Sequence, residues 1–246
     1  MINLFLPQIP LAGVVFALKQ SNTAGKAIVA VLFIGSILAW TVMVVKLKEL
    51  NDAKRASSRF LFAYRREKHP LSLFMKNQKY DDSPLYTVYK NACVLMRSIL
   101  GVSESEKQSA ANESWFETAH LTDGQAAAVK NMVSRTVADE SLAMEENMGF
   151  LATATTTAPF LGLLGTVWGV MEAFGGMAVK GSAMLSDVAP GISGALLTTV
   201  VGLLVALPSA IGYNILSDQI RRMGVLTDNF SQELIGDLEN HCLRQE

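Results

Sequence analysis

Three long runs of this chain carry no charged side chain: residues 27–45, 150–171 and 188–216. Few folds can absorb them. About 20 apolar residues match the ~30 Å hydrocarbon core of a bilayer. A helix satisfies its own backbone amides and carbonyls there without water. The first run, AIVAVLFIGSILAWTVMVV, is close to that length. The second ends at Glu172, and the third is longer than a perpendicular crossing needs, so it tilts or projects from the bilayer. Half of all residues are apolar, a fraction that a soluble domain also reaches. Their concentration in blocks, with the charges between, sets the fold class: an all-α integral membrane protein with three transmembrane helices.

The expected organisation is an N-terminal periplasmic or interfacial segment (1–26), transmembrane helix 1 (27–45) and a cytoplasmic helical domain (46–149). Transmembrane helix 2 (150–174), a periplasmic loop (175–187), transmembrane helix 3 (188–216) and a cytoplasmic C-terminal helix (217–246) follow. Lys46, Lys48, Lys54, Arg55, Arg59, Arg65, Arg66 and Lys68 come soon after the first run, against Glu49, Asp52 and Glu67. Arg221 and Arg222 follow the third run, whereas the loop between the second and third holds only Lys180. The positive-inside rule then puts the N-terminus outside and both charged regions in the cytoplasm. Residues 4–18 are apolar but broken by Pro7 and Pro10, which suits a segment lying on the membrane surface. No basic region precedes them, so they make a poor signal peptide.

The region between the first two spans reads helical. Ser103 with Glu106 and Thr122 with Gln125 have capping-box spacing, while Gly101 and the Asp82-Ser83-Pro84 stretch read as breaks. Val129, Met132, Val133 and Val137 follow helical periodicity. Nothing after Thr122 signals a stop before Pro159, so one helix from about Asp123 to Gly175 is expected. It would be roughly 75–80 Å long, kinked at Pro159 and projecting into the cytoplasm. Leu216, Ile220, Met223, Leu226, Phe230, Leu234 and Leu238 continue an apolar stripe past the third span. The stripe packs either within its own chain or against neighbouring subunits. The second is preferred, since three spans offer few elements to cover it.

Several functions are poorly matched. A net charge of −1 gives nucleic acid no electrostatic footprint. Cys93 and Cys242 share no ligand spacing with His69, His120 or His241, and read as free thiols in a reducing compartment. No nucleophile–base set or phosphate loop stands out. Neither an enzyme nor a cofactor or metal site is expected.

Small residues recur on one side of each later span at 100° per residue. Thr155, Gly162, Thr166 and Gly169 share a side of the second. Gly194, Thr198, Gly202, Val205, Ser209 and Gly212 share a side of the third. Such faces serve either close helix packing or a pore lined by hydroxyls, which hold water without the cost of a buried charge. Spacing alone does not separate the two.

The segments TTAPFLGLLGTVWGVMEAF and VAPGISGALLTTVVGLLVALPSAIGYN resemble the hallmark stretches of the MotA/TolQ/ExbB proton-channel family, nearest its TolQ/ExbB branch. The resemblance implies a homopentamer in the bacterial inner membrane, around a dimer of an ExbD/TolR-like single-span partner whose membrane aspartate binds the proton. It implies that proton flow does outer-membrane work through a TonB/TolA-like protein, in TonB-dependent uptake or Tol-Pal envelope maintenance. Thr157 matches the family's pore threonine of the second span and Thr199 that of the third. Gly194 departs from the pattern APGIxEALxAT, where a glutamate is usual. In one account the partner aspartate, Thr157 and Thr199 suffice, and Gly194 leaves room for water. In the other the complex conducts poorly, which makes a non-conducting scaffold of the same fold the alternative. Glu172 either supplies a substitute carboxylate or is an interfacial charge at the helix end.

Overall fold

The computed structural model describes residues 17, 19, 21–76, 78–100, 121–180 and 184–242. Most of the expected surface segment 4–18, together with Gly101, the Ser103 capping box and His120, lies outside them. Six helices follow in order: α1 (Thr23–Arg66), α2 (Ser72–Met75), α3 (Pro84–Ile99), α4 (Asp123–Glu145), α5 (Met148–Lys180) and α6 (Leu185–Cys242). No strand forms among the described residues. The stretches Thr23–Arg66, Asp123–Val179 and Leu185–Cys242 each contain helix long and apolar enough to cross a membrane.

Local chemistry explains several boundaries. Ser83 caps α3, its hydroxyl accepting from the Tyr86 amide at 3.2 Å, and Pro84 takes the first turn, where its missing N–H costs nothing. At the start of α4 the Thr122 amide donates to Gln125 Oε1 at 2.9 Å, as the capping-box spacing requires. The single helix expected from Asp123 to Gly175 is instead two. Glu146 turns to an extended backbone (ψ 137°) and Asn147 enters the left-handed region at φ 66°. Asparagine is one of the few residues that visits that region readily. Pro159, by contrast, sits inside α5 without ending it.

The chain divides into two compact units. The first comprises Met1–Val44 and Asn147–Ile215. Its buried cluster is Leu32, Ala158, Val205 and Ala206, with Ile28, Leu161 and Val201 packed against it. Large apolar side chains point outward instead, among them Phe33 and Trp40 on α1, Phe160 and Val167 on α5, and Leu204 and Leu207 on α6. Small residues inside and large ones outside is the arrangement of helices solvated by lipid.

The second unit comprises Val45–Glu146 and Leu216–Glu246 and has an ordinary apolar core. Phe60 and Tyr89 are fully buried. Phe60 meets Phe230 edge-on at 5.3 Å between centroids and Tyr64 meets Phe230 at 5.2 Å. The phenol oxygens of Tyr89 and Tyr64 are both engaged, as buried phenols require. Tyr89 Oη donates to the Pro70 carbonyl at 2.8 Å and accepts from the Phe74 amide at 3.0 Å. Tyr64 Oη donates to Asp237 Oδ2 at 2.8 Å. Nearby, Arg65 holds Glu233 with two bonds of 2.9 and 2.8 Å. Leu216, Ile220, Met223, Phe230, Leu234 and Leu238 are all buried within this one chain. Leu226 is half-buried. That corrects the expectation of a stripe shared with neighbours: most of it is covered within the chain, at Phe230 by the rings of Phe60 and Tyr64 on α1.

Burial, and then the hydrogen bond to Asp237, pushes the Tyr64 phenol up. The fold therefore favours its neutral form. This contribution is intact below the ordinary tyrosine value near 10 and is lost as pH rises beyond it. Tyr64→Phe is expected to cost ~1–3 kcal/mol at neutral pH by removing the carboxylate's donor. It should also reduce the loss of stability on the alkaline side. Denaturant titrations of the solubilised protein at pH 7 and pH 11, followed by circular dichroism, check both. An alkaline loss equal to that of the parent would place the titrating group elsewhere.

Candidate functional site

The densest polar chemistry of the first unit lies where α5 and α6 touch. Glycine permits the approach. A Cβ added to Gly202 would lie 2.6 Å from the Ala158 carbonyl oxygen and 3.1 Å from Gly162 Cα. One added to Gly162 would lie 2.9 Å from the Thr198 carbonyl oxygen and 3.0 Å from Thr199 Cα. One added to Gly169 would lie 2.6 Å from Ala195 Cβ. The small-residue faces therefore face each other as packing surfaces within a single chain.

Threonine hydroxyls fill the space so created. Three of them converge on the Gly162 carbonyl oxygen: Thr198 Oγ1 at 2.9 Å, Thr166 Oγ1 at 3.0 Å and Thr199 Oγ1 at 3.1 Å. Thr198 is fully buried, and its hydroxyl also lies 2.7 Å from the Ala195 carbonyl. Thr166 and Thr199 are hydrogen-bonded to each other, and either can be the donor. One carbonyl has two lone pairs, so three hydroxyls cannot all be satisfied there at full strength. The Thr166–Thr199 bond takes up the surplus, with either hydroxyl able to donate. The site is thus an uncharged, reorientable hydroxyl cluster inside an apolar helix pair.

The expected site residues fall in different places. Thr199 belongs to this cluster. Thr157 is exposed on another side of α5, its hydroxyl donating back to the Thr153 carbonyl at 2.7 Å. Thr153 and Thr156 are exposed beside it, and their hydroxyls also close on carbonyls of their own helix. Gly194 is buried. A Cβ there would lie 2.7 Å from Ser21 Cα, 2.9 Å from Ser21 N and 3.0 Å from the Ala17 carbonyl oxygen, so the volume above it is filled by backbone. Glu172 is exposed and accepts from Asn22 Nδ2 at 2.5 Å. With Asn22, Gly169, Asp187 and Gly191 it lines a cleft of about 280 Å³.

Four polar participants escaped the reading of site residues from sequence. Thr166 and Thr198 were visible only as members of small-residue faces, and their helical spacing from Gly162 and Gly202 was the available signal. Asn22 and Ser21 gave none, because the residues they meet, Glu172 and Gly194, are distant in the chain. Ser21 Oγ is buried with no hydrogen-bond partner among the described residues, next to Gly194 and Gly25.

The sequence model of the MotA/TolQ/ExbB proton channel family matches residues 104–228, a span that contains the whole α5–α6 seam. The chain is similar to the biopolymer transport protein ExbB of Pseudomonas putida, 34% identical over 202 residues, 82% of this chain and 56% of that protein. It is similar to the Tol-Pal system protein TolQ of Pseudomonas aeruginosa, 44% identical over 94 residues, 38% of this chain and 39% of that protein. ExbB of Neisseria meningitidis is 26% identical over 211 residues, 86% of this chain and 88% of that protein. The matched region spans about half or less of the two Pseudomonas relatives.

The packing over Gly194 gives a direct test. A cysteine at position 21 is expected to be protected from a membrane-permeant maleimide in the Ser21→Cys protein. Adding Gly194→Glu should expose it, because the larger side chain cannot enter without displacing Ala17 and Ser21. Rapid labelling of the single variant would mean that the segment is not seated on Gly194.

Proposed function

We infer that this chain, which belongs to the MotA/TolQ/ExbB proton channel family, is the inner-membrane channel subunit of an ion-driven motor of the TolQ–TolR or ExbB–ExbD type. In this reading it is a homopentamer with its N-terminus periplasmic and its C-terminus cytoplasmic. The ring surrounds an ExbD/TolR-like single-span partner with a membrane aspartate, and a TonB/TolA-like protein carries the work to the outer membrane. The chain performs no enzymatic reaction and needs no cofactor or metal.

The observation that carries this reading is the exposed hydroxyl face of Thr153, Thr156 and Thr157 on α5. Lipid offers such a face nothing, whereas a polar group on a packed neighbour does. Thr157 Oγ1 already donates to the Thr153 carbonyl, so its own lone pairs remain to accept a hydrogen bond from a partner's neutral carboxylic acid. Once that acid ionises, the hydroxyl can turn and donate to the carboxylate instead. One side chain then serves both protonation states without a charge of its own. Thr199 acts from the α5–α6 seam, where its bonds with Thr166 and the Gly162 carbonyl hold the helix pair in register. In this reading Glu172, which accepts from Asn22 at the cleft, gathers protons from the periplasmic side.

A second reading, a non-conducting scaffold of the same fold, draws on Gly194. No side chain longer than hydrogen fits there beside Ser21 and Ala17, so the family's usual carboxylate has no room in this arrangement.

Proton flux into vesicles holding the complex decides between them. Thr157→Ala is expected to lower flux at least about tenfold, the equivalent of one lost hydrogen bond of ~1.4 kcal/mol in the transition state, with the native mass of the complex unchanged. Thr157→Ser should retain most of it. Undiminished flux in both Thr157→Ala and Thr199→Val would sink the pore assignment, and no flux in the unsubstituted complex would favour the scaffold.

A further inference from the structure

Two exposed patches of the second unit have opposite charge around an aliphatic centre. On α4, Leu142 is 69% exposed, and the exposed Glu145 and Glu146 follow it one turn on. Asp139, one turn before it, lies 3.9 Å from Arg135. On α6, Val225 is 57% exposed. Arg221 and Arg222 precede it by one turn, their side chains 80% and 77% exposed even though both reach Asp218. Leu142 comes shortly before the second apolar run and Val225 shortly after the third. Read away from the apolar runs, α4 presents acid and then aliphatic, and α6 presents base and then aliphatic.

We propose that a second copy of this chain covers each patch, the α4 patch of one copy docking on the α6 patch of the next. The proposal rests on the ring reading given above and names its contact in the second unit. Two features select this occupant. Leu142 and Val225 are both exposed in the single chain, so neither covers the other within it. The two patches also differ: the α4 patch, with Asp139, Glu145 and Glu146 around Leu142, would meet its own charges in a two-fold contact, whereas the exposed Arg221 and Arg222 of α6 complement it. Different patches joined head to tail generate a closed ring or an open fibre rather than a two-fold pair. The aliphatic pair supplies the apolar centre, and the charged rims fix direction and register more than affinity.

Cysteine cross-linking in the full complex tests this. Leu142→Cys and Val225→Cys, both at exposed positions, are made singly and together. Under mild oxidation the double variant should give a ladder up to the full oligomer, and a mixture of the two single variants should stop at dimers. Arg222→Glu should reduce the yield several-fold, and Glu145→Arg added to it should restore it. Efficient cross-linking of either single variant to itself would overturn the proposal in favour of a two-fold contact. An absent ladder in a complex whose native mass is oligomeric would overturn the contact and leave the ring reading standing. A monomeric native mass for the unsubstituted protein would overturn both.

Discussion

Backbone approach at Gly162 and Gly202 governs the membrane-spanning unit. Helices in lipid gain little by burying apolar surface against one another, because the tails outside are equally apolar. What remains is dispersion at close range and hydrogen bonds that water cannot contest. Both need the axes near each other, and both vanish if a side chain separates them. The convergence of Thr166, Thr198 and Thr199 on one carbonyl oxygen follows from the glycines and would have no geometry without them.

The second unit is held together by a different logic. It has aromatic rings meeting at their edges, and the phenols of Tyr64 and Tyr89 each have a partner. Phe60, Tyr64, Tyr89 and Phe230 come from three helices, so the apolar stripe of α6 is closed by its own chain. The exposed charges of α4 and α6 lie outside this core and take no part in holding it.

The sequence was most legible where one residue type has one use. Uncharged runs of membrane length, a proline after a capping serine at 83–84, and Thr122 three before Gln125 all read directly. The helix break at Glu146 and Asn147 was not legible, because neither residue is a glycine or proline and asparagine is also tolerated inside helices. The α6 stripe was read correctly as apolar, but its cover was misjudged, since periodicity shows that a face is buried and not by what. In the candidate site, Thr199 and the glycines were visible through spacing. The Asn22–Glu172 bond and the seating of Ala17 and Ser21 on Gly194 were not, because such pairings arise from folding between segments far apart in sequence. The missing carboxylate at Gly194 acquires a steric account only when the neighbouring backbone is seen.

The hydroxyl cluster has an electrical consequence. The three uncharged runs contain no group on which a transmembrane voltage can pull, and threonine hydroxyls reorient without moving net charge across the field. Voltage therefore does almost no work on this subunit directly. In the proposed motor, any force drawn from the potential acts on the travelling ion and on the partner's carboxylate, and reaches α5 and α6 through contact. In such a machine this chain is dielectric housing, and its stiffness rather than its charge decides how much of the work is transmitted.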